Sequence, residues 1–198
     1  MTGTYAWNPM PHRVSVRCPA CAQHASFEFA ETVRIKRKAD IPFFEKSRLF
    51  EYAFIEVSRA GQNFNAALFY AGLHGGSTAA IRELPDGYSP EDWDHSRYLY
   101  RSWPTDRGSV VCPSCRLHRK HVLRWPEDAW FQVEYRGSTL WAFERESATV
   151  LRDHIASTER RLRRRRRWSS LLLHVPKEFL VASARATLVK RLDRLLGA

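Results

Sequence analysis

No apolar run in this sequence approaches the roughly 20 residues needed to cross a membrane. The first residues, MTGTYAWNPMPHRVSV, lack a basic start followed by an apolar stretch. Neither a membrane span nor a secretory leader is therefore expected, and the chain should stay in the cytoplasm. The one glycine-rich stretch, Gly72-x-x-Gly75-Gly76-Ser77, is without the Lys-Ser/Thr pair that a phosphate loop requires. No nucleophile–base pair and no second metal motif is recognisable. No catalytic residue is assigned on that basis, no small-molecule substrate is expected, and the chain reads as a non-enzyme.

What the sequence does contain excludes disorder: 44% of the 198 residues are hydrophobic and 13% aromatic. That length suits one medium domain, or a small sheet domain with an appended helical unit. A formal charge of +11 and a pI near 10.0 point to a polyanionic partner, most simply nucleic acid. The excess is uneven. Residues 144–198 hold 14 Lys/Arg against 6 Asp/Glu, while the first 143 hold 18 against 15.

Cysteine is scarce, and its placement is informative. The four residues are Cys18, Cys21, Cys112 and Cys115, in CPAC and CPSC, with none left over. Each knuckle turns the chain so that two sulfurs converge, and each proline presets the turn after the first cysteine. Together they supply the four thiolates of one tetrahedral zinc ion, whose role is structural because no coordination position stays open. A redox motif needs only one Cys-x-x-Cys, and a reducing cytoplasm disfavours the alternative of two disulfides. Ninety residues separate Cys21 from Cys112, where ordinary ribbons have about 15–20. His24, His118 and His121 lie close to a knuckle and are alternative ligands that four thiolates make unnecessary.

Hydrophobic alternation predicts strands at His24–Phe29, Thr32–Lys38, Tyr52–Ser58 and Ala66–Ala71. In the second of these, Val33 and Ile35 face inward, leaving Arg34, Lys36 and Lys38 as a basic outer face. The aromatic residues from Phe43 to Tyr70 read as core, with a base-stacking platform as the alternative. Residues 72–108 read as a long loop. Asp86, Glu91, Asp92 and Asp94 cluster near His95 and could do acid–base work, but Ser89 followed by Pro-Glu-Asp reads more simply as a helix start. Val110–Val111 leads into the second knuckle. His121–Trp125, Trp130–Tyr135 and Thr139–Phe143, with a tight turn at Arg136-Gly137-Ser138, then supply the small antiparallel sheet a zinc ribbon needs.

From Glu144 the period becomes helical, with Val150, Leu151, His154, Ile155, Thr158 and Leu162 on one stripe. A second helix opens at Pro176 and closes at Gly197, with Phe179, Leu180, Ala184, Leu188, Leu192 and Leu195 on its apolar face. A Trp168–Val175 connection makes the two a helical hairpin. Before that connection stand Arg160, Arg161, Arg163, Arg164, Arg165, Arg166 and Arg167, then Trp168. Seven arginines in eight residues repel one another at helical spacing, a cost that an acidic partner relieves. Their forks match phosphate oxygens, and Trp168 could stack on a base. The alternative is a solvated basic helix end or an address signal.

The stretch from Cys112 to Ser157, with Val175–Leu196, resembles uncharacterised bacterial proteins described as containing a zinc ribbon. The shared features are the Cys-Pro-x-Cys pair, Trp125-Pro126-x-Asp128-Ala129, Leu140-Trp141-Ala142 and Arg145-Glu146 opening a helix. The resemblance implies a zinc-supported sheet followed by helices and carries no activity with it; the arginine density departs from it. The expected fold is α+β: a zinc-ribbon module over 1–143 with an insertion at 22–111, then a basic helical hairpin over 144–198. The expected function is binding of DNA or RNA, alone or as a ribonucleoprotein subunit, through the arginine run. Alternatives are a protein–protein adaptor that docks a partner through the aromatic ribbon and, behind it, a nuclease using acids such as Asp92 and Asp94.

Overall fold

The computed structural model describes residues 10–56, 63–94, 105–159 and 166–197, with only the backbone of Arg166. The chain is α+β, with nine strands and four α-helices among the described residues. The strands are β1 (Arg13–Arg17), β2 (His24–Phe29), β3 (Glu31–Arg34), β4 (Phe50–Ile55), β5 (Phe64–Phe69), β6 (Arg107–Val111), β7 (His118–Val122), β8 (Phe131–Tyr135) and β9 (Ser138–Ala142). The helices are α1 (Ile41–Lys46), α2 (Arg145–Ala156), α3 (Ser169–Leu173) and α4 (Ala182–Leu196). Sheet orders are β1-β2-β6-β7, β3-β5-β4 and β8-β9. The chain forms two compact units, one of Pro11–Arg13 with Ser26–Leu123 and one of Val14–Ala25 with the chain from Arg124 onward.

In the first unit, β5 lies between β3 and β4 and is antiparallel to both. Its sequence, FNAALF, is nearly all apolar because a central strand is buried on both faces. One face joins Ala67 and Phe69 to Ile35, Phe44, Phe50, Ile81 and Trp93. The other joins Phe64, Ala66 and Leu68 to Ala53, Ile55 and Tyr70. The aromatic residues of 43–70 are therefore largely core, with Phe43 and Phe54 exposed.

Residues 72–94 hold neither strand nor α-helix, as expected of a loop region, and are punctuated by 3-10 turns at Ala71–His74 and Pro90–Trp93. Trp93 ends a one-turn 3-10 helix (Pro90–Trp93) that opens at Ser89, as the Ser-Pro-Glu-Asp signal predicts. Its buried indole donates to the Ala67 carbonyl at 3.1 Å. The acidic residues around it are used locally. Asp92 accepts from the Ser89 amide at 3.1 Å, and Asp94 accepts from the Thr78 hydroxyl at 3.0 Å. His95 lies outside the described residues. The basic strand predicted to reach Lys38 ends at Arg34, because the chain turns into a 3-10 turn at Lys38–Asp40. Val33 and Ile35 still point inward and Arg34, Lys36 and Lys38 outward.

In the second unit, β8 and β9 form a hairpin in which Tyr135 faces Ser138. The two-residue loop between them, Arg136 and Gly137, has φ of +50° and +79°, the paired positive angles that match strand twist. Phe131, Val133, Leu140 and Ala142 from the hairpin share one core with Ala148, Leu151 and Ile155 of α2 and Ala184, Leu188, Leu192 and Leu196 of α4. The predicted helical hairpin thus buries its stripes together and against the β-hairpin. Three details differ. Helix α2 stops at Ala156, short of Thr158. The second helix is broken into a 3-10 turn (Lys177–Phe179) and α4. Its last core contact is Leu196, four residues after Leu192, while Leu195 is only half-buried.

The predicted ribbon sheet is also redistributed. The strand after the second knuckle is His118–Val122, paired with β6, while β8 and β9 form a sheet of their own. Strand β1 has no counterpart among the expected strands, although its Arg-Val-Ser-Val-Arg alternation is that of a half-buried strand, with Val14 and Val16 buried and Arg13 and Arg17 exposed. It lies beside β2 in the sheet, and its amides also bond outside any strand, Ser15 donating to the Phe143 carbonyl at 2.7 Å and Arg17 to the Asp128 carbonyl at 2.8 Å.

Gly108 in β6 generates a direct test. A Cβ at this position would collide with the Glu28 carbonyl and the Phe27 ring, and backbone cannot yield as a flexible side chain can. Gly108→Ala is expected to lower stability by about 1–3 kcal/mol. A urea melt checks this as a fall in midpoint at unchanged slope.

Candidate metal centre

The two knuckles adopt the same backbone path. Cys18 donates its amide to the Gln23 carbonyl at 2.7 Å, and Cys112 donates to the Leu117 carbonyl at 2.9 Å, both five residues ahead. The residue after the second cysteine is left-handed in both, Ala22 at φ +57° and Arg116 at φ +58°. Neither is glycine or asparagine, so each holds a conformation that costs about 1–2 kcal/mol. That turn is what carries the chain back so that both sulfurs of a knuckle point the same way. In the first knuckle, the Ala20 amide also donates to Cys18 Sγ at 3.4 Å.

The four sulfurs, Cys18, Cys21, Cys112 and Cys115, all lie within 4.8 Å of one another. They carry thiols rather than disulfides. A tetrahedral ion with metal–sulfur bonds of about 2.3 Å holds its sulfurs about 3.8 Å apart, so the group needs only a small contraction to close on one ion. Four sulfur donors fill a four-coordinate shell and leave no position for water or substrate. Cys18 and Cys112, the first cysteine of each knuckle, are buried, whereas Cys21 is half-buried and Cys115 exposed. This is the one group of potential metal ligands found among the described residues.

Two of the neighbouring histidines make contacts of their own. His24 Nε2 lies 3.1 Å from Ser15 Oγ, and its ring meets Trp130 edge-on at 5.5 Å. Burial, with help from the Arg145 charge, pushes its pKa below the usual histidine value. The ring of His121 meets Phe27 edge-on at 6.1 Å, and His118 is exposed.

Of the arginine run, Arg160, Arg161, Arg163, Arg164 and Arg165 lie outside the described residues. Arg166 belongs to a one-turn 3-10 helix (Arg166–Trp168). Arg167 pairs with Glu144 at 3.1 Å and with Glu146 at 2.6 Å, and its guanidinium lies 4.7 Å from the Trp168 ring centre. Burial raises the Glu144 carboxyl above its ordinary value despite the Arg167 charge. Trp168 itself is 5% exposed, with Phe143 at 6.0 Å, so the structure places it in the core and not where a base could stack on it. The Trp125 and Trp141 of the resemblance motifs likewise face one another edge-on at 5.4 Å, which gives those motifs a packing role.

The near-balance of charge over the first 143 residues conceals a second basic stretch: residues 107–126 contain five Lys/Arg, two His and no acid.

Among the described residues, no helix is long and apolar enough to cross a membrane. No protein-family description, curated protein or solved structure matches the chain.

The left-handed residues test the knuckle geometry. Ala22→Gly should leave stability unchanged or slightly raised, since glycine adopts positive φ without strain. Ala22→Val should lower it by about 1–2 kcal/mol, because a β-branched side chain is least tolerated there. Thermal melts rank the three; a valine variant as stable as the glycine one contradicts the strain argument.

Proposed function

We propose that this chain is a zinc-stabilised, non-enzymatic protein that binds DNA or RNA, alone or as a ribonucleoprotein subunit, through the arginines at 160–167. The observation that carries the reading is the concentration of seven arginines in eight residues within a tail of net +8. Arginine forks bond phosphate oxygens in pairs and stay charged at any physiological pH. Such contacts position a backbone without reading sequence, so the binding would be strong at low salt and weakly selective. Arg167 is already paired with Glu144 and Glu146, which leaves the other six arginines of the run to carry the contact. With Trp168 buried, the grip rests on charge without base stacking.

Zinc is the ion proposed for the four sulfurs. It takes thiolates in tetrahedral closed sites and has no redox chemistry of its own, so its part here is to hold the fold. Metal analysis of the purified protein should return one zinc per chain. A strong chelator should unfold it cooperatively, read by loss of near-ultraviolet circular dichroism. A brown, iron-containing preparation, or a metal-free protein with an unchanged melt, overturns the assignment.

For the nucleic-acid reading, an arbitrary oligonucleotide should bind at micromolar or tighter dissociation constants and weaken steeply between 50 and 200 mM salt, by the order of 10³ if about six phosphates are contacted. Replacing Arg163–Arg167 with glutamine should remove most of that affinity. Unchanged binding in the variant rules out the run as the grip. Recovery of a protein partner from nuclease-treated lysate, with no oligonucleotide binding, would favour an adaptor.

A further inference from the structure

The acid-free stretch 107–126 is threaded through β6, the second knuckle and β7. Strand β7 ends the order β1-β2-β6-β7, so among the described residues its outer edge has no neighbouring strand. Four of its five residues are exposed, and the fifth, His121, is half-buried. The sequence written along this edge and the turn before it is Arg116-Leu117-His118-Arg119-Lys120-His121.

Not all of the charge is available to a ligand. Glu51 Oε2 accepts from Lys120 Nζ at 2.8 Å, and Glu51 Oε1 accepts from Arg107 at 2.8 Å. The Lys120 ammonium also sits 4.5 Å from the centre of the Tyr70 ring. Burial works to raise Glu51, but the bonds from Lys120 and Tyr70 and the charge of Arg107 prevail and hold it below the usual carboxylate range. Arg124 donates toward Asp128 at 3.7 Å. Among the described residues, no carboxylate pairs with Arg116 or Arg119, both of which are exposed. Between them, His118 is exposed as well. These two arginines and one histidine occupy four consecutive positions, steadied on one side by the knuckle turn and on the other by the β6 register, where Val110 faces Arg119.

We infer that Arg116, His118 and Arg119 form a second contact for nucleic-acid phosphates, built on the knuckle turn and the open edge of β7. It rests on the reading of the chain as a nucleic-acid-binding protein and is separable from the arginine run. Arg116 sits on the knuckle turn and Arg119 on a strand of fixed register, so both guanidiniums spring from backbone of defined position. Successive side chains of a strand point to opposite faces, so His118 and Arg119 leave β7 on opposite sides and offer cations to one backbone passing along its edge. Edge strands also carry charge simply to prevent pairing with other sheets, and Lys120 meets that need while remaining bonded to Glu51.

The test uses the full-length, metal-loaded protein and two probes, a fluorescent single-stranded homopolymer and a duplex of arbitrary sequence. Anisotropy titrations are run between 50 and 200 mM salt. The variants are Arg116→Asn with Arg119→Gln, and Arg119→Gln alone. Asparagine is chosen because it tolerates the left-handed angle of Arg116. Loss of two phosphate contacts should reduce the slope of log affinity against log salt by about 1.4 on the single strand or 1.8 on the duplex. The same slopes amount to roughly a fivefold to tenfold loss per contact at 0.1 M salt. Arg119→Gln alone should give half of the slope change. A slope equal to that of the unaltered protein in both variants overturns the inference. So does an unchanged slope accompanied by new self-association, which assigns the cations to edge protection. A loss in the Arg163–Arg167 glutamine variant with none in the β7 variants leaves nucleic-acid binding standing and removes this site. The reverse pattern moves the grip to β7. Absence of oligonucleotide binding by the unaltered protein overturns both.

Discussion

The convergence of four cysteine sulfurs is the constraint on which most else depends. It joins two points of the chain that are 90 residues apart, and the entropy of closing a loop that long is of the order of 4–5 kcal/mol when a crosslink supplies it. That is a large share of the 5–15 kcal/mol by which a domain is typically stable. Both knuckles place a non-glycine residue at positive φ to achieve the convergence. Local strain is accepted because the sulfurs must point to one centre.

Around this centre the charges fall into two groups. Some cations are spoken for: Lys120 and Arg107 on Glu51, Arg167 on Glu144 and Glu146, Arg152 on Asp153 and Asp193. These are largely surface pairs, worth little individually. Their importance is in fixing where charge is not free. What remains uncompensated among the described residues includes the edge that carries Arg116 and Arg119. A net charge of +11 is thus better understood as an unevenly neutralised surface than as a diffuse field.

Signals carried by a few adjacent residues were legible in the sequence. The Cys-Pro-x-Cys turns, the Arg136-Gly137 hairpin, the Ser89 helix start and the Gly197 helix end each depend on local backbone preference, and the structure has all of them. Signals that depend on distant partners were not. Helix α1 has six residues, too few to show a period, and Trp93 is core because it packs against Phe44 and Phe50 and bonds the Ala67 carbonyl of β5. Trp168 misled for the same reason. Beside arginines it looks like a stacking residue, and it is Phe143, 25 positions earlier, that buries it.

The sequence by itself determined the paired cysteine knuckles, the apolar stripes of α2 and α4, and the concentration of arginine between them. Each is a matter of residue type at fixed spacing, which covalent geometry turns directly into direction. Only the tertiary structure decided which strands share a sheet, which aromatics are core, and which cations find a carboxylate. Those outcomes depend on contacts between residues tens of positions apart, such as Glu51 with Lys120, and a pairing over that distance leaves no period in the chain.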